Sequence, residues 1–408
     1  MGEARYARQE TAWRPVAAAV CVGGWGANQF TPLAVVYRVA EGWHAVPVVA
    51  MFTTYLVGLV PGLLLGCRAA NRYGRRRVVR QALAMSAAAS AVLAMAAVSE
   101  VAVYVSRLAT GIAAGVLVSA GASWLQGLSP AAGRDAGARR AMYATGAGFA
   151  AGPLVAGMVA EWLPQPTVLP CVAHSVVALL SFVATRRVPE IASFSELRRV
   201  RPQPPRHRWA AVRHPRFVGV VLPASPAVFA AATVAYVVLP PLVIDRVRDY
   251  APLFSGLVAA VTITVGLAVQ PLAERLDHSG SARSTIVAMA TVVVGLLVGA
   301  AAVDQVSPPV VLVAATILGA GYGLTLASGL REIERLASPA ALPTASALYQ
   351  GVAHSGFLTP LFLAVTAGVA SYPVLLVGLA AVGLLFLGVT AMYSQRHLPE
   401  LSEHRHVG

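Results

Sequence analysis

Roughly twelve apolar runs, each long enough to cross a bilayer, dominate this chain and leave it few architectures. A helix rises 1.5 Å per residue and a hydrocarbon core is roughly 30 Å thick, so a spanning helix needs about 20 apolar residues. The segments near 15–37, 45–67, 78–98, 101–126, 140–162, 167–185, 216–244, 251–273, 283–303, 308–329, 341–369 and 371–393 meet that requirement. Water is not the main solvent of such a surface. Only 12% of the 408 residues are charged and 57% are hydrophobic, whereas a soluble domain carries about a quarter charged residues. The expected fold class is an all-α membrane protein of twelve transmembrane helices.

A formal charge of +14, all of its positive part from Arg, would suit a nucleic-acid binder if it gathered on a soluble face. Here the arginines sit between apolar runs, so no nucleic-acid partner is expected. Their distribution instead orients the chain. With the N-terminus inside, 27 arginines fall in inner segments and 3 in outer loops (Arg38, Arg246 and Arg248), leaving Arg107 within a span. Both termini are therefore expected on the cytoplasmic side of an inner membrane. Trp13, Trp43, Trp124 and Trp162 fall at span ends, as an aromatic belt would place them. The polar start is followed by an apolar run without a small-residue cleavage site and reads as leading into a retained first span.

The stretch from Arg186 to Arg216 is rich in Arg and Pro and divides the runs into two sets of six. The expected organisation is a six-helix bundle over residues 1–185, a basic linker over 186–215 and a second bundle over 216–408. Such a linker is attracted to anionic lipid, which explains it without a ligand. An internal repeat supports the division. Asn71-Arg72 after span 2 corresponds to Glu274-Arg275 after span 8, and Gly148-Phe149…Pro153-Leu154 in span 5 to Gly356-Phe357…Pro360-Leu361 in span 11. Duplication gives two pseudo-symmetric bundles able to rock about a central site.

Three local patterns resemble those of the major facilitator superfamily, and the resemblance extends over nearly the whole chain. The loop Cys67-Arg-Ala-Ala-Asn71-Arg72-Tyr-Gly74-Arg75-Arg76 is similar to that family's G-x-x-x-D-R-x-G-R-R loop, which links the bundles by charge contacts. Cys67 and Asn71 depart from the pattern, and Asn can hydrogen-bond but cannot form an ion pair. A plain basic topology loop is the simpler alternative. Arg107-Leu-Ala-Thr-Gly111 in span 4 resembles the family's R-x-x-x-G motif. A charge inside a span usually faces a polar cavity, although a long side chain can also snorkel to the interface. Gly148-Phe-Ala-Ala-Gly152-Pro153-Leu-Val-Ala156-Gly157 resembles the G-x-x-x-G-P-x-x-G-G element of the antiporter branches, with Ala156 in place of one Gly. A proline bend beside glycines suits a helix interface that must slide or seal.

The resemblance implies alternating access, a substrate near the midplane and a monomer. Trp25, Asn28, Gln29, Tyr55, Arg107, Tyr236, Tyr322, Gln350 and His354 are the candidate cavity residues. Any one of the uncharged residues could equally be an interhelical hydrogen bond. Every Asp and Glu lies in a loop or near a span end, which leaves His174 and His354 as the histidines within spans. His354, near mid-depth, is the better proton carrier, with Arg107 as a further candidate and Glu41, Glu161 and Asp245 near the outer surface as weaker ones. The leading expectation is export of a small amphipathic compound, with protons as coupling ion. The alternative is uptake or facilitated diffusion of a neutral metabolite such as a sugar or nucleoside. Cys21, Cys67 and Cys171 have no partner at metal or disulfide spacing, and no nucleotide loop or nucleophile–base pattern occurs. Neither a cofactor, a metal nor an enzymatic activity is expected.

Overall fold

The computed structural model describes residues 11–39, 41–96, 99–129, 136–191, 209–278, 280–338 and 341–396. Arg5, Arg8, Arg134, Arg405 and linker residues 192–208 lie outside them. Among the described residues every predicted run is helical and no strand occurs. Span 1 is Trp13–Asn28 continued by Phe30–Val39, span 2 Ala45–Tyr73, span 3 Arg75–Leu93, span 4 Glu100–Gly127, span 5 Ala136–Trp162 and span 6 Leu169–Ala184. Span 7 runs over 217–242, span 8 is Ala251–Leu276, span 9 Arg283–Asp304, span 10 Pro308–Leu336, span 11 runs over 342–366 and span 12 is Tyr372–Tyr393. Among the described residues, nine of these are long and apolar enough to cross a membrane as single helices. Spans 1 and 11 fall short because each is interrupted, and span 3 because it opens on three arginines.

Proline explains the interruptions. Pro32 has no amide hydrogen to return to Asn28 O, and span 1 breaks at Gln29. Pro360 likewise frees the carbonyl of Gly356, inside the tightened turn Ser355–Leu358 of span 11. In lipid a freed carbonyl must be satisfied by a neighbouring helix. Gly356 O accepts from Thr233 Oγ1 of span 7 at 3.3 Å. In span 5, Pro153 frees Phe149 O, which accepts from Asn28 Nδ2 of span 1 at 3.2 Å. Corresponding helices of the two halves thus repair corresponding prolines.

The chain forms two compact units. The first comprises residues up to Val200 with Tyr236–Thr264 and Pro360–Val365; the second comprises Arg201–Ala235, Val265–Thr359 and the remainder. Within the first, a Cβ on Gly148 would overlap Cys21 O, so span 5 can press on span 1 only through glycine. Gly356 plays the same part in the second unit, where span 11 meets Pro226 and Ala230 of span 7. Gly111 against Tyr55 O (spans 4 and 2) is matched by Gly323 against Gly266 O (spans 10 and 8). The pairs 1·5 and 2·4 therefore recur as 7·11 and 8·10. The pseudo-symmetry expected from sequence is present in the packing.

One Trp differs from expectation. Trp162 is 67% exposed, as a belt residue would be, but Trp124 is fully buried and donates from Nε1 to Pro189 O at 3.2 Å. Its position at a span end is covered by the chain leaving span 6, and a buried indole N–H needs a partner.

Candidate functional site

Asn28 and Gln29 are buried but bound to other helices. Asn28 is committed to Phe149 O, and Gln29 Nε2 donates to Ser90 Oγ at 2.7 Å. Ser90 Oγ is also 2.7 Å from His174 Nδ1, and His174 Nε2 lies 3.2 Å from Val22 O. A carbonyl only accepts, so Nε2 carries the hydrogen and Nδ1 accepts from Ser90. This chain ties spans 1, 3 and 6 together. Asn28→Leu is expected to lower stability by about 1–3 kcal/mol, since Phe149 O would be left buried and unmet. Thermal unfolding in detergent measures it, and a wild-type midpoint would show that another donor serves that carbonyl.

Other candidates do converge. Arg107 is 1% exposed, so its side chain does not snorkel to the interface. Nη1 donates to Ala27 O at 3.1 Å. The guanidinium carbon stands 4.7 Å from the Phe30 ring centre, 4.9 Å from that of Tyr55 and 6.0 Å from that of Phe52. Phe52 in turn meets Tyr236 edge-on at 6.2 Å. Three predicted residues, Tyr55, Arg107 and Tyr236, thus share one aromatic cage in the first unit. Phe30 and Phe52 belong to it and were not predicted, because a Phe on an apolar helix carries no signal separating lining from lipid contact. Trp25 is half-buried and packs edge-on to His174 at 5.9 Å, apart from the cage.

In the second unit Tyr322 and His354 gather around Phe229, with ring centres 5.9 and 4.6 Å from it. His354 Nδ1 lies 2.6 Å from Gln350 O, one turn back in its own helix, and Phe357 stacks 5.8 Å from the imidazole. Gln350 is half-buried. Phe229, not predicted from sequence, is contributed by span 7, 93 residues before Tyr322 and 125 before His354.

The stretch 67–76, expected as a loop, is helical on both sides of Gly74 and is anchored within the first unit. Gly74 takes φ +89°, a conformation open essentially to glycine alone, and there span 2 gives way to span 3. The amides of Arg75 and Arg76 donate to the two oxygens of Glu190, at 2.8 and 3.0 Å. A carboxylate on a helix N-terminus meets both its unsatisfied N–H groups and its dipole. Arg75 Nη1 lies 3.4 Å from Ile191 O and Arg76 Nη1 3.5 Å from Arg186 O. Arg72 covers the Tyr73 ring, while Asn71 is exposed. The acid this stretch meets is thus Glu190, at the head of span 3. In span 5, Gly152 lies against the Trp25 backbone and Gly157 against Pro252 of span 8, where Gly256 faces Pro153 O in return.

Among the described residues no group of His, Cys, Asp and Glu could hold a metal ion. A comparison with curated protein sequences finds no significant match. Solved structures resemble the fold closely. The nucleoside transporter NupG has a TM-score of 0.71 at 12% identity, over 94% of this chain and 99% of that one. A POT family transporter in complex with 5-aminolevulinic acid scores 0.76 at 10% identity, over 94% and 96%. The xylose transporter XylE from E. coli, partially occluded and inward open, scores 0.69 at 15%, over 92% and 97%. At these identities the likeness establishes the fold. The sequence itself matches the Major Facilitator Superfamily over residues 16–360, from the first span into the eleventh. With twelve helices, paired internal packing and that match, the chain belongs to the Major Facilitator Superfamily of membrane transporters.

Proposed function

We propose that this protein exports a small amphipathic organic compound by alternating access, with protons as the coupling ion, as a monomer in a cytoplasmic membrane with both termini inside. The observation that carries the reading is the Gly-Pro element of span 5, whose Pro153 and Gly157 interlock backbone to backbone with Gly256 and Pro252 of span 8. Glycine contacts of this kind let helices part and re-form a seal without side-chain repacking. In this reading the proton is taken by His354, whose Nδ1–H is committed to Gln350 O, leaving Nε2 to titrate.

Uptake or facilitated diffusion of a neutral solute is the second reading. It is favoured by the absence of Asp or Glu from the middle of any span and by neighbours described as nucleoside and xylose transporters. Inside-out vesicles with an acidic interior separate the two. Export predicts accumulation of amphipathic test compounds that collapses with a protonophore. Equilibration of a sugar or nucleoside, indifferent to the protonophore, would overturn it. His354→Ala is expected to abolish gradient-driven accumulation while leaving passive exchange; loss of both, or of neither, removes His354 from the proton path.

A further inference from the structure

Among the described residues, the two arginines most fully withdrawn from solvent are Arg107 and Arg216, each 1% exposed. They are held in the same way. Each donates from Nη1 to a backbone carbonyl, Arg216 to Ser394 O at 2.8 Å and Arg107 to Ala27 O at 3.1 Å. Arg216 then presents its Nε–Nη2 edge to Glu332, at 2.9 and 3.1 Å from the two carboxylate oxygens. That edge carries two parallel N–H bonds and matches a planar carboxylate. On Arg107 the same two atoms are buried and meet no hydrogen-bond partner among the described residues. The group cannot escape by losing its proton, because arginine stays charged in proteins. Rings and one carbonyl offset only part of the cost of burying a cation.

We propose that the Nε–Nη2 edge of Arg107 docks the carboxylate of the transported solute, an organic anion whose apolar or aromatic body lies among Phe30, Phe52 and Tyr55. This rests on the transport reading and names the class of compound carried. A second observation bears on access. Phe52 also lines a cleft with Thr31, Tyr236 and Ser255 whose volume is about 30 Å³, room for a single water. Arg107 itself does not line this cleft and is 1% exposed, so a solute meets it only after the surrounding helices have parted, which is what alternating access supplies. The Arg216–Glu332 pair shows the geometry the bound carboxylate adopts.

The test compares acids with their uncharged amides. Purified wild type, in detergent at fixed sodium chloride, is titrated with benzoate, phenylacetate and indole-3-acetate, each beside its amide, and with nitrate. Thermal unfolding reads the binding. At least one acid is expected to bind tenfold or more tighter than its amide, and R107Q to lose that preference. R107K keeps the charge without the two-pronged edge and is expected to lose most of it. Should R107Q fail to fold, the wild-type pairs and R107K still decide. Equal binding of every acid and its amide, or a preference that survives R107Q, overturns the inference. So does an Arg107-dependent shift given by nitrate to which no carboxylate adds, since the site would then hold an inorganic anion only. Counterflow in liposomes with the same pairs separates this inference from the transport reading. Exchange of acids supports both. Exchange of amides alone overturns the anion inference and leaves transport standing, whereas Arg107-dependent binding with no exchange of any compound counts against transport.

Discussion

Glu332→Ala is expected to destabilise the protein by about 3–5 kcal/mol, because removing one partner of a buried ion pair leaves the other charged and unmet. Glu332 is the carboxylate of a bidentate pair with Arg216, and the side chains are 4% and 1% exposed. Through Arg216 Nη1 and Ser394 O the pair fastens the start of span 7, the end of span 10 and the end of span 12. Arg335 approaches Glu332 at 3.5 Å and also pairs with Asp277, while Arg331 pairs with Glu274. The outer members of this network should matter less. Glu274 is 64% exposed, and Glu274→Ala is expected to change stability by no more than about 1 kcal/mol. Replacing both buried partners by apolar residues, as in Arg216→Met with Glu332→Leu, should recover most of the loss, since no lone charge then remains. Thermal or denaturant unfolding of the two single variants and the double variant measures the coupling. An additive double variant would show that Ser394 O and Arg335 hold their partners independently of the pair.

Gly148→Val should be harsher still, with little folded protein recovered. The contact it blocks is backbone to backbone, so no flexible side chain can yield. A Cβ at residue 148 falls on the Cys21 carbonyl, and span 1 is itself held by Asn28 on span 5 and Gln29 on span 3. Overpacking ordinarily costs about 1–3 kcal/mol where neighbours can shift, and more where they cannot. The corresponding change in the second half, Gly356→Val, meets Pro226 O and Ala230 N and should behave alike. The readout is the monodisperse fraction on size exclusion after extraction. Gly378, around which nothing approaches within 4 Å, supplies the control position. A well-folded Gly148→Val protein would mean that span 5 can move away from span 1.

The candidate site was legible in part. Arg107 declared itself because a charge inside an apolar run is costly enough to need a reason, and the structure places it within a cage of rings. Asn28 and Gln29 looked like cavity residues on the same logic, yet their amide nitrogens are spent on Phe149 O and Ser90. A polar side chain in a span answers either to a ligand or to a neighbouring helix, and the choice depends on what stands opposite. Pro153 was the available clue for Asn28, since a proline always frees the carbonyl four residues back. Its recipient could not be known without the fold. Phe30, Phe52 and Phe229 were silent, because an apolar residue on a helix apolar all round carries no directional signal.

From sequence alone came what depends on local composition and on the bilayer. The length of each apolar run, the bias of arginine between alternate loops and the doubled Gly-Phe…Pro-Leu pattern are all properties of short segments. They suffice for the number of helices and for the pseudo-symmetric fold. The breaks of spans 1 and 11 came only with the structure. Only the tertiary structure decided the pairings. It brought Glu190 to the head of span 3 from 115 residues away, closed Glu332 on Arg216 across 116, hid Trp124 under Pro189 and left the Nε–Nη2 edge of Arg107 without a carboxylate. The physical reason is that hydrophobicity places a helix in the membrane but is nearly uniform around it. Which face meets which neighbour is settled by glycine contacts, freed carbonyls and buried charges, and these act only once the helices are side by side.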